Sequence, residues 1–249
     1  MAYGTLYAVG VGPGDPELIT LKGLRRLQSA SVILVPQKDS STESQAYRIA
    51  KTYINPERQK IIFLPLPMTK DLKRLNSAWE EILKKVIPVL EAGQDMVYIL
   101  VGDPFFYGTF IYLFKLLKSR SPSIPIEVIP GISSIQAASA WVQWPLAVAE
   151  ERVAILPATY EEGEFGDYAG RAGPISPFLR QTLEQFDTVV LMKIHRVFDK
   201  VLNLLEELGL LENTIYVEKV GFPEERMVRD LRTLRGRELP YLSLLIIKK

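Results

Sequence analysis

Short runs of Val, Ile and Leu recur along the chain, and in its first half they alternate with stretches whose apolar residues have helical spacing. Most runs show little in/out alternation, which is typical of parallel strands that helices cover on both faces. This order predicts α/β architecture. The predicted strands are residues 6–11, 32–35, 61–64, 96–101, 126–129, 153–156, 188–192, 215–217 and 242–247.

Leucine stripes between these runs predict amphipathic helices that pack on the core. Asp15 followed by Pro16 predicts the N-terminus of the first helix, with a capping carboxylate before a proline at the first helical position. Its core-facing stripe consists of Leu18, Leu21, Leu24 and Leu27.

Three further helices are predicted from the same spacing. The longest extends from a Thr69 cap to Gly93, with a kink at Pro88. The others cover residues 110–117 and 198–208, the latter ending before a glycine that is typical of a helix C-terminus.

The middle of the chain contains the best candidate for a linker. Residues 119–125 include two prolines and three serines, which interrupt both periodicities. We therefore predict an N-terminal α/β domain over residues 1–120, with a mostly parallel sheet flanked by helices. A C-terminal α/β domain with a mixed sheet and helices follows over residues 121–249, and its start could be as late as about residue 146. Residues 159–177 are polar and irregular, as in an insertion or lid.

Composition excludes several classes of function. The 249 residues contain 30 Lys and Arg against 29 Asp and Glu, and the net charge of +1 gives no general attraction to nucleic acid or an anionic membrane. Cysteine is absent, which excludes disulfides, thiolate metal sites and a cysteine nucleophile. The single histidine, His195, cannot form a multi-histidine metal site. We expect a cytoplasmic protein without a metal, nucleic-acid or membrane partner.

The first strand is followed by a glycine-rich turn that resembles a dinucleotide-binding loop only superficially. In Gly10-Val11-Gly12-Pro13-Gly14-Asp15-Pro16, the third glycine of the fingerprint is replaced by Asp15. A carboxylate at the helix N-terminus also disfavours a pyrophosphate there. A tight turn with an N-cap is the alternative interpretation.

Two further loops end predicted strands. Gly102 permits close approach of backbone to a ligand, and Asp103 is a candidate for binding an amine or a ribose hydroxyl, although a turn with a cap explains the same residues. In the second loop, Ser133 and Gln136 fit a capping box. Ser134 lies beside that helix N-terminus, where its hydroxyl is available to a carboxylate.

The C-terminal half offers weaker signals. Lys193 directly follows a predicted strand and is the more interesting neighbour of His195, which we interpret as structural or exposed rather than catalytic. Residues 224–230 are dense in charge and, taken alone, predict a solvated loop. No catalytic residue is assigned.

Together these loops resemble the tetrapyrrole (corrin/porphyrin) methylase superfamily. The resemblance rests on residues 10–18 with Thr20-Leu21-Lys22, on Gly102-Asp103-Pro104-Phe105-Phe106-Tyr107, and on Pro130-Gly131-Ile132-Ser133-Ser134. Within the superfamily, the chain is most similar to the precorrin-2 C20-methyltransferases of cobalamin biosynthesis. The blocks that carry this narrower likeness are residues 66–71 with Trp79, and residues 108–113, 156–158, 187–193, 216–219, 225–231 and 240–244.

The resemblance implies that S-adenosyl-methionine is bound in a cleft between the two domains and converted to S-adenosyl-homocysteine. The cofactor positions that it implies are Pro13, Gly102, Asp103, Pro104, Phe105, Ser133, Ser134, Met192, Lys219, Pro240, Tyr241 and Leu242. The tetrapyrrole bears carboxylates and a macrocycle, so cations and aromatic walls are expected on its side. Candidates are Lys22, Lys70, Arg74, Phe106, Tyr107, Lys193, Arg226 and Arg229, and solvated surface charge is the alternative for each cation.

The sequence alone leaves other functions open. They are methylation of another ring carbon or in the diphthamide pathway, non-catalytic S-adenosyl-methionine binding and, with the least support, nucleotide-dependent oxidoreduction. The sequence does not distinguish a cobalt-containing from a metal-free tetrapyrrole. The family resemblance also implies a homodimer.

Overall fold

A computed structural model of the protein describes residues 2–39, 41–66, 71–158 and 177–249, and the side chains of Leu72 and Arg74 are not among the described groups. Contacts divide the chain into two compact units, Met1–Ser134 and Ile135–Lys249. The predicted linker lies inside the first unit, and a domain boundary at residue 120 stays a prediction. The expected insertion or lid lies outside the described residues, except for Pro177 at its end.

The first unit contains a fully parallel five-stranded sheet with the order β3-β2-β4-β1-β5. This confirms the parallel sheet that the continuous apolar runs predict. The strands are β1 (Leu6–Gly10), β2 (Val32–Gln37), β3 (Lys60–Pro65), β4 (Met96–Leu100) and β5 (Ile126–Ile129). The helices are α1 (Leu21–Ser29), α2 (Gln45–Ala50), α3 (Leu72–Glu91) and α4 (Phe110–Arg120), and α5 (Ser134–Val142) begins at the unit's last residue.

The central strands of this sheet are buried along their whole length, as expected for strands covered on both faces. Tyr98 of β4 is fully buried, and its hydroxyl forms a hydrogen bond of 3.2 Å with the Thr109 hydroxyl. Burial raises the pKa of the Tyr98 hydroxyl, so the group stays neutral and its polar atom is satisfied within the core.

The start of the first helix differs from the prediction. Asp15 caps only a short 3-10 turn, Pro16–Leu18, by accepting the Glu17 N–H at 2.9 Å. Helix α1 begins at Leu21, capped by the Thr20 hydroxyl. Leu21 is 71% exposed, so the predicted core stripe is wrong at this position. The offset arises because the 3-10 turn breaks the 3.6-residue register between Leu18 and the leucines that follow.

The second unit contains a mixed sheet with the order β6-β7-β10-β8-β9, in which only β6 and β7 are parallel neighbours. This confirms the predicted mixed sheet. The strands are β6 (Val153–Pro157), β7 (Thr188–Met192), β8 (Thr214–Glu218), β9 (Arg226–Val228) and β10 (Ser243–Lys248), and the helices are α6 (Pro177–Gln185) and α7 (Phe198–Glu207).

Strand β9 corrects the expectation of a solvated loop over residues 224–230. Its residues pair with β8 in antiparallel register, from Glu218 opposite Arg226 to Tyr216 opposite Val228. An edge strand of three residues with mostly exposed side chains lacks the apolar pattern by which the other strands are predicted.

The ends of two predicted helices are confirmed by left-handed glycines. Gly93 (φ +81°) follows α3 and Gly209 (φ +67°) follows α7, as in helix C-terminal caps. Pro88 lies inside α3, whereas the Thr69 cap lies outside the described residues. In the part of the chain that the structure describes, no helix is long and apolar enough to cross a membrane.

Candidate functional site

Three strand-end loops meet at one edge of the first unit's sheet. Strand β1 lies between β4 and β5, so the loops that follow them emerge side by side. The backbone N–H of Gly102 donates to the Gly12 carbonyl at 2.8 Å, and both glycines have positive φ angles, +72° and +88°. The loop after β4 is thus joined directly to the loop after β1 in a backbone conformation that favours glycine.

The third loop approaches so closely that side chains are excluded. A Cβ atom on Gly131 would lie 2.1 Å from the Gly102 carbonyl oxygen, and one on Gly10 would lie 2.3 Å from the same atom. Cβ atoms do not occupy such distances, so glycine is required at both positions. The three loops form one backbone junction around Gly10, Gly102 and Gly131, the glycine junction.

Asp103 ties two of these loops together. One carboxylate oxygen accepts the Phe105 N–H at 2.9 Å, and the other accepts the Gly131 N–H at 3.1 Å. Asp15 belongs to the other Gly-Asp-Pro sequence, at residues 14–16. Among the described contacts, its carboxylate accepts only the Glu17 N–H, within the local 3-10 turn. The two similar sequences therefore have different structural tasks.

Beside the junction lie an uncrowded glycine and a helix N-terminus that offers backbone donors. A Cβ atom on Gly102 would lie 3.8 Å from the Ser133 Cα, which is an ordinary van der Waals contact, so the positive φ angle and not crowding favours glycine there. Ser133 is buried, and Ser134 is the first residue of α5, whose initial N–H groups favour an anionic ligand group. Pro13 and Pro104 are buried within the same loops.

Three consecutive aromatic residues follow the Gly102 loop of the junction. Phe105 is exposed but packs edge-on against Phe114 of α4, with ring centroids 5.2 Å apart. Phe106 and Tyr107 form a second edge-on pair at 4.8 Å, and Tyr107 adopts a left-handed backbone (φ +53°). A non-glycine residue in this conformation is uncommon and marks a tightly determined loop.

In the second unit, the cofactor positions implied by the resemblance collect at one end of the mixed sheet. Strands β7 and β8 end where β10 begins, since both are antiparallel to it. The Lys219 N–H donates to the Leu242 carbonyl at 2.8 Å, while Met192 ends β7 opposite Leu244. The exposed Tyr241 lies between Pro240 and Leu242 in the segment that precedes β10.

A buried hydrogen-bond network lies at the same end of the sheet. The Tyr216 hydroxyl donates to the Glu218 carboxylate, and the Arg226 Nε lies 3.0 Å from the other carboxylate oxygen. Burial and the neighbouring carboxylate raise the pKa of the Tyr216 hydroxyl, which keeps it a proton donor. Arg226 is one of the substrate-binding residues predicted from the sequence, whereas Tyr216 is not. The only feature of the sequence that points to Tyr216 is its spacing of two residues from Glu218, which places both side chains on one face of a strand.

Lys193 directly follows β7 with a left-handed backbone (φ +57°), and burial lowers the pKa of its ammonium group. His195 lies in the next turn, with its ring edge-on to Tyr241 at 5.4 Å between centroids. This contact links the lone histidine to the segment before β10.

The remaining candidate cations lie in different settings. Lys22 is paired with Glu127 of β5 at 2.5 Å, and the Arg229 guanidinium lies 5.6 Å from the centre of the Trp144 ring. Glu127 is level with Tyr7 and lies two residues before the carboxyl end of β5. Lys70 and the Arg74 side chain lie outside the described residues. Within the described ranges, no cluster of three or more His, Asp or Glu residues could hold a metal ion.

Comparison with known proteins identifies close relatives over nearly the full chain. A Methanocaldococcus jannaschii protein named as a probable cobalt-precorrin-2 C(20)-methyltransferase is 34% identical, with 98% of this chain and 96% of the relative covered. The cobalt-precorrin-2 C(20)-methyltransferase of Salmonella typhimurium is 30% identical, with 99% and 97% covered.

Solved structures have the same architecture. The X-ray structure of a cobalamin biosynthetic enzyme, cobalt precorrin-4 methyltransferase, matches with a TM-score of 0.71 and 25% identity over 98% of this chain and 94% of that one. A Thermus thermophilus uroporphyrin-III C-methyltransferase complexed with S-adenosyl homocysteine shares the fold, with a TM-score of 0.67 and 24% identity over 99% and 98%.

The family model of the tetrapyrrole (corrin/porphyrin) methylases matches residues 5–234, which include all three loops of the glycine junction and the network around Tyr216. The chain belongs to this family of methyltransferases.

Proposed function

We propose that the protein transfers a methyl group from S-adenosyl-methionine to ring carbon C20 of precorrin-2 or cobalt-factor II in cobalamin biosynthesis. The observation that carries this proposal is the similarity of the chain to two proteins that bear the C20-methyltransferase name. The similarity extends over almost the full length of this chain and of each relative. Methylation at another ring carbon is the second candidate, because the cobalt precorrin-4 methyltransferase is also 25% identical over nearly the whole chain.

The cofactor is S-adenosyl-methionine, as in tetrapyrrole methylases generally. Two features of the first unit fit this group. Gly102 carries no side chain and is not crowded, which suits close approach of a ligand to its backbone, and the α5 N-terminus beside Ser133 and Ser134 suits the methionine carboxylate. The proposed cofactor residues are those that the resemblance implies, namely Pro13, Gly102, Asp103, Pro104, Phe105, Ser133, Ser134, Met192, Lys219, Pro240, Tyr241 and Leu242. The expected cleft between the domains stays a prediction.

The substrate is a small tetrapyrrole, whose macrocycle and carboxylates call for aromatic rings and cations. Phe106 and Tyr107 supply rings beside the glycine junction. Among the cations, Arg226 and Lys193 lie at the strand ends that carry the proposed cofactor residues, so they have the strongest support. Lys22 has less support, since Glu127 already neutralises its ammonium group.

When bound, the cofactor supplies a methyl group already activated on a sulfonium sulfur. The protein's part is then to hold two reactants in alignment, and such positioning can lower a barrier by roughly 7–11 kcal/mol. A closely packed backbone junction, built from Gly10, Gly102 and Gly131, suits this task. No side-chain nucleophile is needed, in agreement with a chain that lacks cysteine.

We also propose that the protein is a homodimer and acts in the cytoplasm, as the resemblance implies. Light scattering coupled to size exclusion tests the first point. A mass of twice 28.2 kDa supports it, and a mass of 28.2 kDa contradicts it.

The function is tested by anaerobic incubation with S-adenosyl-methionine and either precorrin-2 or cobalt-factor II. We expect one methyl group to be added per tetrapyrrole, with an equal amount of S-adenosyl-homocysteine released. The preferred substrate identifies the metal-free or the cobalt-containing route. Cofactor binding without transfer to either substrate would contradict the proposal.

A further inference from the structure

Four side chains form one connected row at the end of the second unit's sheet. Ser243, Glu218 and Arg226 are direct neighbours on β10, β8 and β9 and therefore face the same side of the sheet. Tyr216 precedes Glu218 by two residues and shares that face. Tyr216 is fully buried, and its ring packs edge-on against Phe198 of α7, with ring centroids 6.0 Å apart.

The carboxylate of Glu218 is committed on both oxygens. One accepts the Tyr216 hydroxyl and the other faces the Arg226 Nε, while the carboxylate side chain is only 11% exposed. A carboxylate held in this way is a poor base for a substrate proton, because both oxygens are already occupied by donors. Its geometry instead fixes the orientation of the arginine.

Arg226 uses only the Nε side of its planar guanidinium in this pairing. Among the described residues, its two terminal nitrogens have no hydrogen-bond or ion-pair partner, and 45% of the side chain is exposed. A guanidinium held at Nε presents its terminal nitrogens as a fork that matches a carboxylate in bidentate geometry.

The row is also connected to the segment that precedes β10. The Ser243 hydroxyl donates to the Pro240 carbonyl at 2.7 Å, and Ser243 is the cross-strand neighbour of Glu218. The oriented arginine and the Pro240–Leu242 segment therefore share one rigid support.

We propose that Tyr216 and Glu218 are positioning residues that aim the Arg226 guanidinium at a carboxylate of the tetrapyrrole substrate. This inference rests on the proposed function and specifies how one side-chain carboxylate of that substrate is bound. Arg226 is the residue that touches the substrate, and the other two act through it.

Steady-state kinetics with precorrin-2 test the proposal. Arg226→Lys, which keeps the charge but loses the fork, and Tyr216→Phe, which frees Glu218 to turn away, are each expected to raise the tetrapyrrole KM about tenfold. The kcat and the KM for S-adenosyl-methionine should change less than about twofold, since ground-state binding of one partner alone is weakened. Arg237→Lys, at an exposed arginine of the same unit, is the matched control and should change nothing.

A double-mutant cycle separates positioning from general packing. In the Arg226→Lys background, Tyr216→Phe should have little further effect on KM, because Tyr216 acts through the arginine. Independent, multiplying effects of the two substitutions would overturn the proposal, as would an unchanged tetrapyrrole KM in either single variant.

A binding experiment distinguishes failure of this proposal from failure of the proposed function. If the wild-type protein does not methylate precorrin-2, the same variants are compared by binding of uroporphyrin III, a stable carboxylated tetrapyrrole. A weaker affinity of about tenfold in Arg226→Lys and Tyr216→Phe, but not in Arg237→Lys, supports the positioning role without turnover. Equal affinities would overturn it.

Discussion

The two units hold their strand ends together by different means. In the first unit, the loops after β1, β4 and β5 meet through backbone atoms, and the contacts at Gly10 and Gly131 leave no room for side chains. In the second unit, side chains join the strand ends in addition to the backbone bond from Lys219 to Leu242, with Tyr216 and Glu218 in a buried network. The first arrangement resists any added atom, whereas the second depends on particular donors and acceptors.

This difference predicts different consequences of substitution. Where backbone packs on backbone, a single methyl group displaces the main chain, so stability and ligand binding are lost together. Where side chains make the contacts, a conservative substitution leaves the sheet intact and alters only the orientation of a functional group. The following substitutions probe that contrast, from the largest expected effect to the smallest.

Gly131→Ala should have the largest effect. The added Cβ would lie 2.1 Å from the Gly102 carbonyl oxygen, and we expect a loss of at least about 3 kcal/mol in the free energy of unfolding. Gly209→Ala is the control, because Gly209 has a positive φ but a Cβ added there would meet no atom within 4 Å. The control should lose only about 1–2 kcal/mol from backbone strain. Urea denaturation followed by circular dichroism measures both, and equal losses would contradict the steric explanation.

Asp103→Asn should weaken S-adenosyl-methionine binding about tenfold with a stability loss of about 1–2 kcal/mol. An asparagine offers one acceptor oxygen where the carboxylate accepts from both Phe105 and Gly131. Asp15→Asn is the matched control, since asparagine caps a helical turn as well as aspartate does. Calorimetric titration gives both affinities. An unchanged affinity in Asp103→Asn would show that the tie between these loops does not support the cofactor.

Ser243→Ala should have a smaller effect in the second unit. Loss of the bond to the Pro240 carbonyl is expected to cost about 1 kcal/mol of stability and to weaken cofactor binding severalfold. Ser119→Ala removes a bond of the same sequence spacing, to the Leu116 carbonyl, from an exposed part of α4. That control should leave cofactor affinity unchanged, and a similar loss in both variants would remove the special role of Ser243.

The smallest effect is expected from an ion pair of the second unit. Bonds from the Lys248 ammonium and the Val148 N–H lower the pKa of Glu151 below its ordinary value of 4.5. Because the folded-state pKa is lowered, this stabilisation is present above about pH 4.5 and is lost as pH falls through the folded-state pKa. The difference in urea midpoint between wild type and Lys248→Met should therefore shrink on acidification. Lys115→Met, at an exposed lysine of α4, should show a pH-independent difference.

The same contrast explains which parts could be predicted from sequence. Buried strands and glycine junctions leave direct signals, since covered strands are continuously apolar and tight backbone contacts require glycine. The network of Tyr216, Glu218 and Arg226 depends on the register between β8 and β9, and β9 has no apolar pattern to predict it. The Leu21 error has a similar origin, because the 3-10 turn that resets the helix is visible only in the structure.

The most direct test of the central claim is the position of the transferred methyl group. The protein is incubated anaerobically with precorrin-2 and with cobalt-factor II in the presence of S-adenosyl-methionine carrying a ¹³C-labelled methyl group, and each product is examined by NMR. We predict a single new labelled methyl resonance, on C20. A label on any other ring carbon would contradict the proposed reaction while leaving the family and the cofactor in place.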